Sequence, residues 1–242
     1  MTTKKNAALL LIPTAIIFGQ TSAMAADTSP WKSEVELGYI NTTGNTESES
    51  VNAKALAEYS IDRWKHTANF ESLVTSDTSG TSAERYYIAE KSDYKYSNDI
   101  SYSFGQIDYE ADRFSGYDYR STATIGYGHK ILDQEDLTLD AEIGVGLRKS
   151  EITSTAETTS ESIGRGTVKV KWQVSAYATF KETISTDIGS DATINKSVTS
   201  LKSQINGNLA TKLTYTIKNT SDVPVGIKKT DTETAFTLVY SF

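Results

Sequence analysis

Residues 137–147 read Leu-Thr-Leu-Asp-Ala-Glu-Ile-Gly-Val-Gly-Leu, with an apolar residue at every odd position and a polar residue or glycine at every even one. Successive side chains of a β-strand point to opposite faces, so this period of two predicts a strand with one apolar face. The same alternation recurs in residues 51–59, 121–127, 168–174, 209–217 and 234–242, and no stretch follows the period of an amphipathic helix. The chain is therefore predicted to be all-β.

The composition agrees with a β protein and excludes several kinds of chemistry. The 242 residues are 38% hydrophobic and 23% charged, and 14 Tyr, 7 Phe and 3 Trp against 3 Pro favour strands. Cysteine is absent, which excludes disulfides, thiolate nucleophiles and cysteine-ligated metals, and only two histidines remain for such roles. A net charge of −7 argues against a nucleic-acid partner. We expect no cofactor.

The N-terminus carries the features of an export signal. Lys4 and Lys5 precede an apolar run over residues 7–18, and Ala23 and Ala25 provide the small residues that a signal peptidase reads. The run is shorter than the roughly 20 residues that a membrane-spanning helix needs, which disfavours the alternative of a transmembrane anchor. We expect a cleaved signal peptide over residues 1–25 and a mature domain over residues 26–242.

Breaks in the alternation divide the mature chain into about twelve strands whose connections alternate in length. Longer connections rich in Ser, Thr, Asp and Glu are predicted at residues 75–83, 149–162, 188–196 and 220–230. Tight turns are predicted at residues 61–62, 97–99, 175–176 and 206–208, with residues 130–136 as a longer exception. The predicted strands lie near residues 31–41, 47–60, 63–74, 84–96, 100–109, 117–129, 137–149, 163–174, 177–187, 197–205, 209–219 and 231–242.

An even number of strands, with long connections at one end and short turns at the other, is typical of an outer-membrane β-barrel. Lipid cannot hydrogen-bond a free strand edge, so a sheet inside a membrane has to close. We therefore predict a single antiparallel transmembrane β-barrel of about 12 strands in the outer membrane of a Gram-negative bacterium, with both termini periplasmic. The alternative is a secreted, soluble β-sandwich whose apolar faces pack against each other.

Aromatic residues in the apolar register collect near the short-turn ends of the predicted strands. Trp and Tyr favour a membrane interface because one edge of the ring reaches water while its body stays apolar. The predicted girdle consists of Trp31, Tyr59, Trp64, Tyr96, Tyr127, Trp172 and Tyr240.

The last predicted strand ends in an aromatic residue. Phe236, Leu238, Tyr240 and Phe242 share the lipid-facing register, and substrates of the barrel assembly machinery commonly end in this way. We expect that machinery to act through the strand ending in Phe242, and we expect outer-membrane lipids and lipopolysaccharide to surround the wall.

Several short segments resemble one protein family over essentially the whole mature chain. They are Gly38 with residues 41–48, residues 110–120, 126–128 and 144–148, and the ending at residues 238–242. The chain is similar in these segments to the family described as salt-induced outer-membrane proteins, whose domain is named domain of unknown function 481. The resemblance implies an outer-membrane location and a link to salt or osmotic stress, and it carries no assigned reaction or cargo.

The register opposite the apolar one holds more bases than acids, which favours a narrow passive pore with a weak anion preference. A basic lining lowers the energy of anions in a poorly screened passage and raises that of cations. The alternative is that these charges pair across the interior and plug it, leaving a structural barrel that supports the envelope under salt or osmotic stress. The pore-lining candidates are Arg85, Arg120, Arg148, Lys169, Lys171, Lys202 and Glu142.

The same register contains the glycine pairs Gly126/Gly128 and Gly144/Gly146 on adjacent predicted strands. Glycine there permits strong curvature of the wall, which we favour, or leaves space inside it.

A lipid-modifying enzyme is the third functional class. Such a barrel needs a Ser/His pair facing lipid near the outer leaflet, whereas His66 and His129 lie near the short-turn ends of their predicted strands. We therefore expect interfacial histidines and no enzyme. Glu90 and Glu182 interrupt the apolar register, and a local register shift or bulge is expected to turn both inward. No spacing of acids matches a dedicated metal site, so none is expected.

Overall fold

The computed structural model describes residues 29–43, 48–76, 82–112 and 115–242. The predicted signal peptide lies outside these ranges. Within them, no helix combines the length and the apolar character needed to cross a membrane.

Twelve strands form one closed sheet, which confirms the predicted β-barrel. Every strand pairs antiparallel with its neighbour in sequence, and the first strand pairs with the last, Leu37 lying opposite Leu238. The strands are β1 (Trp31–Thr43), β2 (Ser48–Ile61), β3 (Trp64–Ser76), β4 (Ser82–Lys95), β5 (Ser101–Asp112), β6 (Tyr117–Asp133), β7 (Leu137–Ile152), β8 (Thr158–Ser175), β9 (Ala178–Gly189), β10 (Thr193–Gln204), β11 (Leu209–Thr220) and β12 (Thr230–Ser241).

The barrel has two ends, which we name by their connections. The turn end carries the β2–β3, β4–β5, β6–β7, β8–β9 and β10–β11 connections together with the start of β1 and the end of β12. The loop end carries the remaining connections, including the longest one in the described chain, residues 221–229.

The polarity of the wall is inverted relative to a soluble protein. Ile143 is 70% exposed on the outer face, whereas the adjacent Glu142 is 5% exposed on the inner face. Ile125 and Leu147 repeat the outer pattern, and Thr122 and Arg148 repeat the inner one. The alternative of a soluble β-sandwich is therefore wrong, because the apolar register faces outward instead of packing against a second sheet.

Two of the predicted long connections are wrong. β7 continues to Ile152 and β8 begins at Thr158, so the connection predicted at residues 149–162 shrinks to residues 153–157. The ladder persists there, with Leu147 opposite Ser162 and Glu151 opposite Thr158. The connection predicted at residues 188–196 likewise shrinks to residues 190–192. The ends of β7 and β8 are largely polar on both faces, so no alternation marks them in the sequence. At the ends of β9 and β10 the alternation is broken instead, because Ile188 is exposed on the outer face and Ile194 lines the interior.

The predicted exception at residues 130–136 is also wrong. β6 runs on to Asp133, and a register irregularity between Lys130 and Leu132 interrupts the alternation without ending the strand. The connection that remains, residues 134–136, is a short turn like most others at this end.

The inner glycines of β6 and β7 make room for two aromatic rings of β5. A Cβ on Gly126 would lie 2.6 Å from the Phe104 ring, and one on Gly128 would overlap the Tyr102 ring. Phe104 is buried, and the Tyr102 hydroxyl donates a 2.6 Å hydrogen bond to Glu142. The space left by the glycines is thus occupied by side chains, while their effect on wall curvature stays a prediction.

This packing predicts that Gly128→Ala destabilises the barrel. The added methyl would push the Tyr102 ring away from Glu142, and overpacking of this kind costs about 1–3 kcal/mol of unfolding free energy. The measurement is a urea titration in detergent micelles, followed by tryptophan fluorescence. Gly105→Ala is the matched control, because its Cβ meets nothing within 4 Å. Equal losses for the two variants would contradict the packing role.

Candidate functional site: the charged interior of the barrel

The inner face of the wall is the main concentration of buried charge in the described chain. All seven sequence-predicted candidates have their side chains in this inner register: Arg85, Arg120, Arg148, Lys169, Lys171, Lys202 and Glu142. Their strands bring them to one interior but to different heights, so they form several local groups instead of one ring.

Glu142 is the centre of the first group. Its Oε1 atom accepts hydrogen bonds from Lys91 Nζ at 2.6 Å, Lys169 Nζ at 2.7 Å and the Tyr102 hydroxyl at 2.6 Å. Lys91 also pairs with Asp93 at 2.8 Å and lies over the Phe104 ring. Two cations therefore share the Glu142 carboxylate. The Tyr102 and Phe104 rings, which occupy the space left by the inner glycines, contact this group.

A second group lies on β8, β9 and β5 and contains residues that the sequence-based candidates omit. Arg165 binds Asp187 through two nearly parallel hydrogen bonds of 2.6 and 2.7 Å. Its guanidinium also lies 3.6 Å from Asp108, which is three strands away around the barrel. The inner register thus contains Asp108, Glu110, Glu161, Asp187, Arg165 and Lys196 in addition to the predicted set.

Two contacts cross the full width of the interior. β5 and β11 are six positions apart in the twelve-stranded ring, and Lys218 Nζ of β11 lies 2.6 Å from Glu110 Oε1 of β5. β4 and β10 are also diametrically opposite, and Lys196 Nζ of β10 lies 5.7 Å from the centre of the Tyr87 ring of β4. We call these two contacts the cross-lumen bridges. They narrow the interior in its loop-end half.

Ion pairs occupy nearly all of the acids on the inner face. Arg85 pairs with Glu233 at 2.8 Å, and Arg148 binds Glu161 through Nε at 2.8 Å. The other described pairs are Lys202–Glu34, Lys212–Glu36, Lys54–Glu71 and Lys65–Glu58. Among the inner residues named above, no ion pair within 4 Å reaches Arg120, Lys171 or Lys196.

A polar cavity of about 250 Å³ lies inside the barrel beside the cross-lumen bridges. It is bounded by side chains of β4 to β11, among them both residues of the Lys218–Glu110 bridge. Of the predicted candidates, the cavity brings together Arg120, Arg148, Lys169 and Glu142. Arg85, Lys171 and Lys202 lie elsewhere on the inner face.

The outer face carries the predicted aromatic girdle. Trp31 contacts Tyr59 at 4.5 Å between ring centres, and Trp64 contacts Tyr94 at 4.9 Å. The contacts continue around the turn end through Tyr96 and Tyr127, and Trp172 and Tyr240 are exposed at the same end. The position of the girdle is therefore confirmed.

Both histidines belong to this girdle. The His66 ring stacks on Trp64 at 5.8 Å, and the His129 ring stacks on Tyr127 at 6.5 Å. Each also contacts a serine through Nδ1: His66 lies 2.8 Å from Ser92, and His129 lies 3.0 Å from Ser101.

The expectation that Glu90 and Glu182 turn inward is wrong. Glu90 keeps its regular register between Ala68 and Ile107, and Glu182 keeps its register opposite Thr199. Both carboxylates stay on the outer face, where hydroxyl groups satisfy them without any bulge. Ser92 donates to Glu90 at 2.6 Å, Ser197 donates to Glu182 at 2.7 Å, and Thr199 donates to the second oxygen of Glu182.

No group of three or more acidic or histidine side chains with metal-binding geometry occurs in the part of the chain that the structure describes.

Sequence comparison identifies a family and a relative. A family model described as a protein of unknown function, DUF481, matches residues 35–242. The uncharacterised protein YdiY of Escherichia coli (strain K12) is 29% identical over 223 residues, which cover 90% of this chain and 85% of that protein.

Comparison with solved structures gives the same type of barrel. The NanC porin, in its rhombohedral crystal form, matches with a TM-score of 0.57 at 10% identity. The match covers 85% of this chain and 98% of the NanC chain. An outer-membrane channel from Pseudomonas putida F1 matches with a TM-score of 0.55 at 10% identity. That match covers 91% of this chain and 100% of the channel's chain. At these identities the likeness shows a shared fold.

The Glu142 group predicts a strong effect of one substitution. Glu142→Gln removes the charge that two lysines and a tyrosine share, so we expect the unfolding free energy to fall by about 2 kcal/mol. Urea titration in detergent micelles measures it. The control is Glu58→Gln, because Glu58 lies 3.9 Å from Lys65 in a partly exposed pair, and its loss costs less than about 1 kcal/mol. A smaller effect at Glu142 than at Glu58 would refute the assignment.

Proposed function

Because the chain belongs to the DUF481 family of proteins of unknown function, its activity has to be argued from its own residues, and we propose that it is a narrow passive pore of the bacterial outer membrane with a weak preference for anions. The apolar outer face supports the membrane location. The balance of paired and unpaired charges inside the barrel supports the anion preference.

The outer face supports the membrane location. A closed antiparallel ladder leaves no strand edge, and large apolar side chains such as Ile125 and Leu147 are about two-thirds exposed on its outside. Water penalises such a surface, whereas acyl chains do not. If the girdle lies at the periplasmic interface, both termini are periplasmic, since Trp31 and Tyr240 belong to it.

The last strand supports assembly as an outer-membrane protein. Phe236, Leu238 and Tyr240 point outward on β12, and the Phe242 ring packs against Tyr240 at 4.8 Å. We propose that the barrel assembly machinery reads this strand, and that lipids and lipopolysaccharide cover the finished wall.

The anion preference rests on one observation: the inner face places lysine directly opposite lysine three times. The cross-strand neighbours are Lys171 with Lys181, Lys196 with Lys218, and Lys202 with Lys212. Like charges in directly opposite positions destabilise a sheet. Lys202, Lys212 and Lys218 each have an acidic partner, whereas among the described residues no ion pair within 4 Å reaches Lys171, Lys181 or Lys196. These last three lysines therefore concentrate positive charge in the passage.

The cross-lumen bridges make the passage narrow. A solute that passes from one end of the interior to the other has to move beside the Lys218–Glu110 pair. Small ions fit such a path better than large solutes, because long lysine and arginine side chains occupy much of the space within a twelve-stranded wall.

Planar-bilayer recordings in a KCl gradient test the pore, and the Lys218–Glu110 pair supplies two opposing variants. Glu110→Gln leaves Lys218 unpaired, so we expect larger single-channel conductance and a stronger anion preference than in the wild type. Lys218→Gln removes one cation from the passage and leaves Glu110 to its cross-strand neighbour Arg120, so we expect larger conductance with a weaker anion preference. Glu58→Gln, at the turn end, is the control and should change conductance little.

A second function is supported by the same ion pairs. If they close the interior completely, the protein is a plugged barrel that supports the envelope under salt or osmotic stress. Channel events absent from the wild type and from both bridge variants would favour this function over the pore. A clear cation preference of the wild type would refute the anion-selective pore.

We further propose that the protein is not a lipid-modifying enzyme. In a hydrolytic triad the carboxylate orients one imidazole nitrogen and the serine uses the other. Here Ser92 Oγ and Glu90 Oε1 lie 2.8 and 3.6 Å from the same atom, His66 Nδ1, and Ser92 donates its proton to Glu90. This arrangement holds a carboxylate on the outer face and does not activate the serine.

Phospholipid hydrolysis by the purified barrel in mixed micelles tests this assignment. We expect the background rate for the wild type, and the same rate for His66→Ala, Ser92→Ala and His129→Ala, because Ser92 gives its proton to Glu90 and no carboxylate of the described residues lies within 4 Å of His129. Turnover by the wild type that is lost in any of these variants would identify an enzyme.

A further inference from the structure

We propose that the cavity beside the cross-lumen bridges is a binding site for a compact solute that carries a carboxylate, phosphate or sulfate group. This inference extends the proposed pore function and rests on it in one respect, since the pore provides the route by which a solute reaches the site. Retention of the solute does not itself require conduction.

Arg120 is the first group that points to an anion. Its side chain is 7% exposed and bounds the cavity, and within the described chain its guanidinium donates no hydrogen bond and forms no ion pair. It stacks on the Tyr117 ring at 3.8 Å. Its direct cross-strand neighbour is Glu110, but that carboxylate is engaged by Lys218 across the lumen. Arg120 therefore attracts the Glu110 carboxylate only over more than 4 Å, because the close ion pair of Glu110 is with Lys218.

Arg148 is the second group. Its side chain is 3% exposed, and two of its nitrogens bind Glu161 and the carbonyl of Ala192. The third, Nη1, is buried and has no hydrogen-bond partner among the described residues. Buried polar groups are almost always hydrogen-bonded, so this residue of the cavity lining keeps one guanidinium donor for which the described chain supplies no acceptor.

Lys196 is the third group. Its ammonium bounds the same cavity and lies over the Tyr87 ring, and no carboxylate of the described residues comes within 4 Å of it. Lys218 is its direct cross-strand neighbour, so a second positive charge stands beside it. Burial of a cation that has no carboxylate within 4 Å is costly, and an anion in the cavity that both Lys196 and Arg120 line would lower that cost.

The rest of the lining specifies the class of ligand. Guanidinium groups match the planar or tetrahedral oxygens of carboxylate, phosphate and sulfate. The hydroxyls of Thr167 and Ser185 offer further hydrogen bonds. The four acids of the lining already have close cationic partners: Asp108 and Asp187 bind Arg165, Glu110 binds Lys218, and Glu142 binds Lys91 and Lys169. A volume of about 250 Å³ restricts the ligand to small molecules.

Equilibrium binding tests the site with three probes: inorganic phosphate, sulfate and succinate. The full barrel in uncharged detergent at fixed ionic strength is titrated with each probe by calorimetry. We expect saturable binding of at least one probe, weakened roughly tenfold by Arg120→Gln and roughly tenfold by Lys196→Gln, because each removes a charged hydrogen-bond donor.

Lys171→Gln is the matched control. It removes the same charge from the inner face, has no ion pair among the described residues, and lies outside the cavity lining. We expect its affinity to stay within about twofold of the wild type. Every variant must keep the heat-modifiable gel shift of a folded barrel. If Arg120→Gln does not fold, the comparison of Lys196→Gln with Lys171→Gln tests the site.

The outcomes separate the site from the pore. No saturable binding of any probe, or equal weakening by Lys171→Gln, overturns the site, the latter because the general potential of the interior would then explain the binding. Saturable binding without channel events supports the site while the pore fails. Anion-selective conductance without saturable binding leaves the pore standing and overturns the site alone.

Discussion

The closed hydrogen-bond ladder is the constraint on which the rest of the structure depends. β1 pairs with β12, so every strand has two neighbours and no edge is left to be satisfied by water. Once the sheet has closed with its apolar register outside, the polar register of every strand has to face a common interior. The charged lumen is thus the consequence of closure combined with a period of two, and its residues need no other cause to be where they are.

That interior forces the charges to interact over distances that no single strand pair provides. Some acids find partners nearby, as Glu71 does with Lys54 on the adjacent strand. Others are reached only because the barrel is narrow, as Glu110 is by Lys218 from the opposite wall. Each such long-range pair removes an acid from its local neighbourhood. Arg120 shows the result, since its cross-strand acid Glu110 forms its close ion pair with Lys218 instead.

The sequence contains enough to predict the fold but only part of the site. Alternation such as that in residues 137–147 gives the strands, their outward face and the aromatic end. It fails where both faces are polar, as at the loop-end tips of β7 and β8, and where an irregularity interrupts it, as near Lys130. Periodicity cannot predict the Glu110–Lys218 pair, because the two residues are 108 positions apart and meet only after the barrel has closed. The expectation for Glu90 is wrong because the Ser92 hydroxyl satisfies its carboxylate on the outer face, so no bulge is needed to turn it inward.

Along the barrel axis the charges form a sequence of different environments. The loop-end half contains the unpaired cations Arg120 and Lys196 beside the cavity, and the turn end contains the opposed pair Lys171 and Lys181. Between them the two acids Glu142 and Asp93 balance the two lysines Lys91 and Lys169. An anion is therefore attracted at both ends and meets a neutralised layer between them. Passage through a selective pore requires sites that bind strongly enough to admit an ion and weakly enough to release it. A neutralised middle layer meets the second requirement, because it keeps the anion from being trapped by one continuous positive lining.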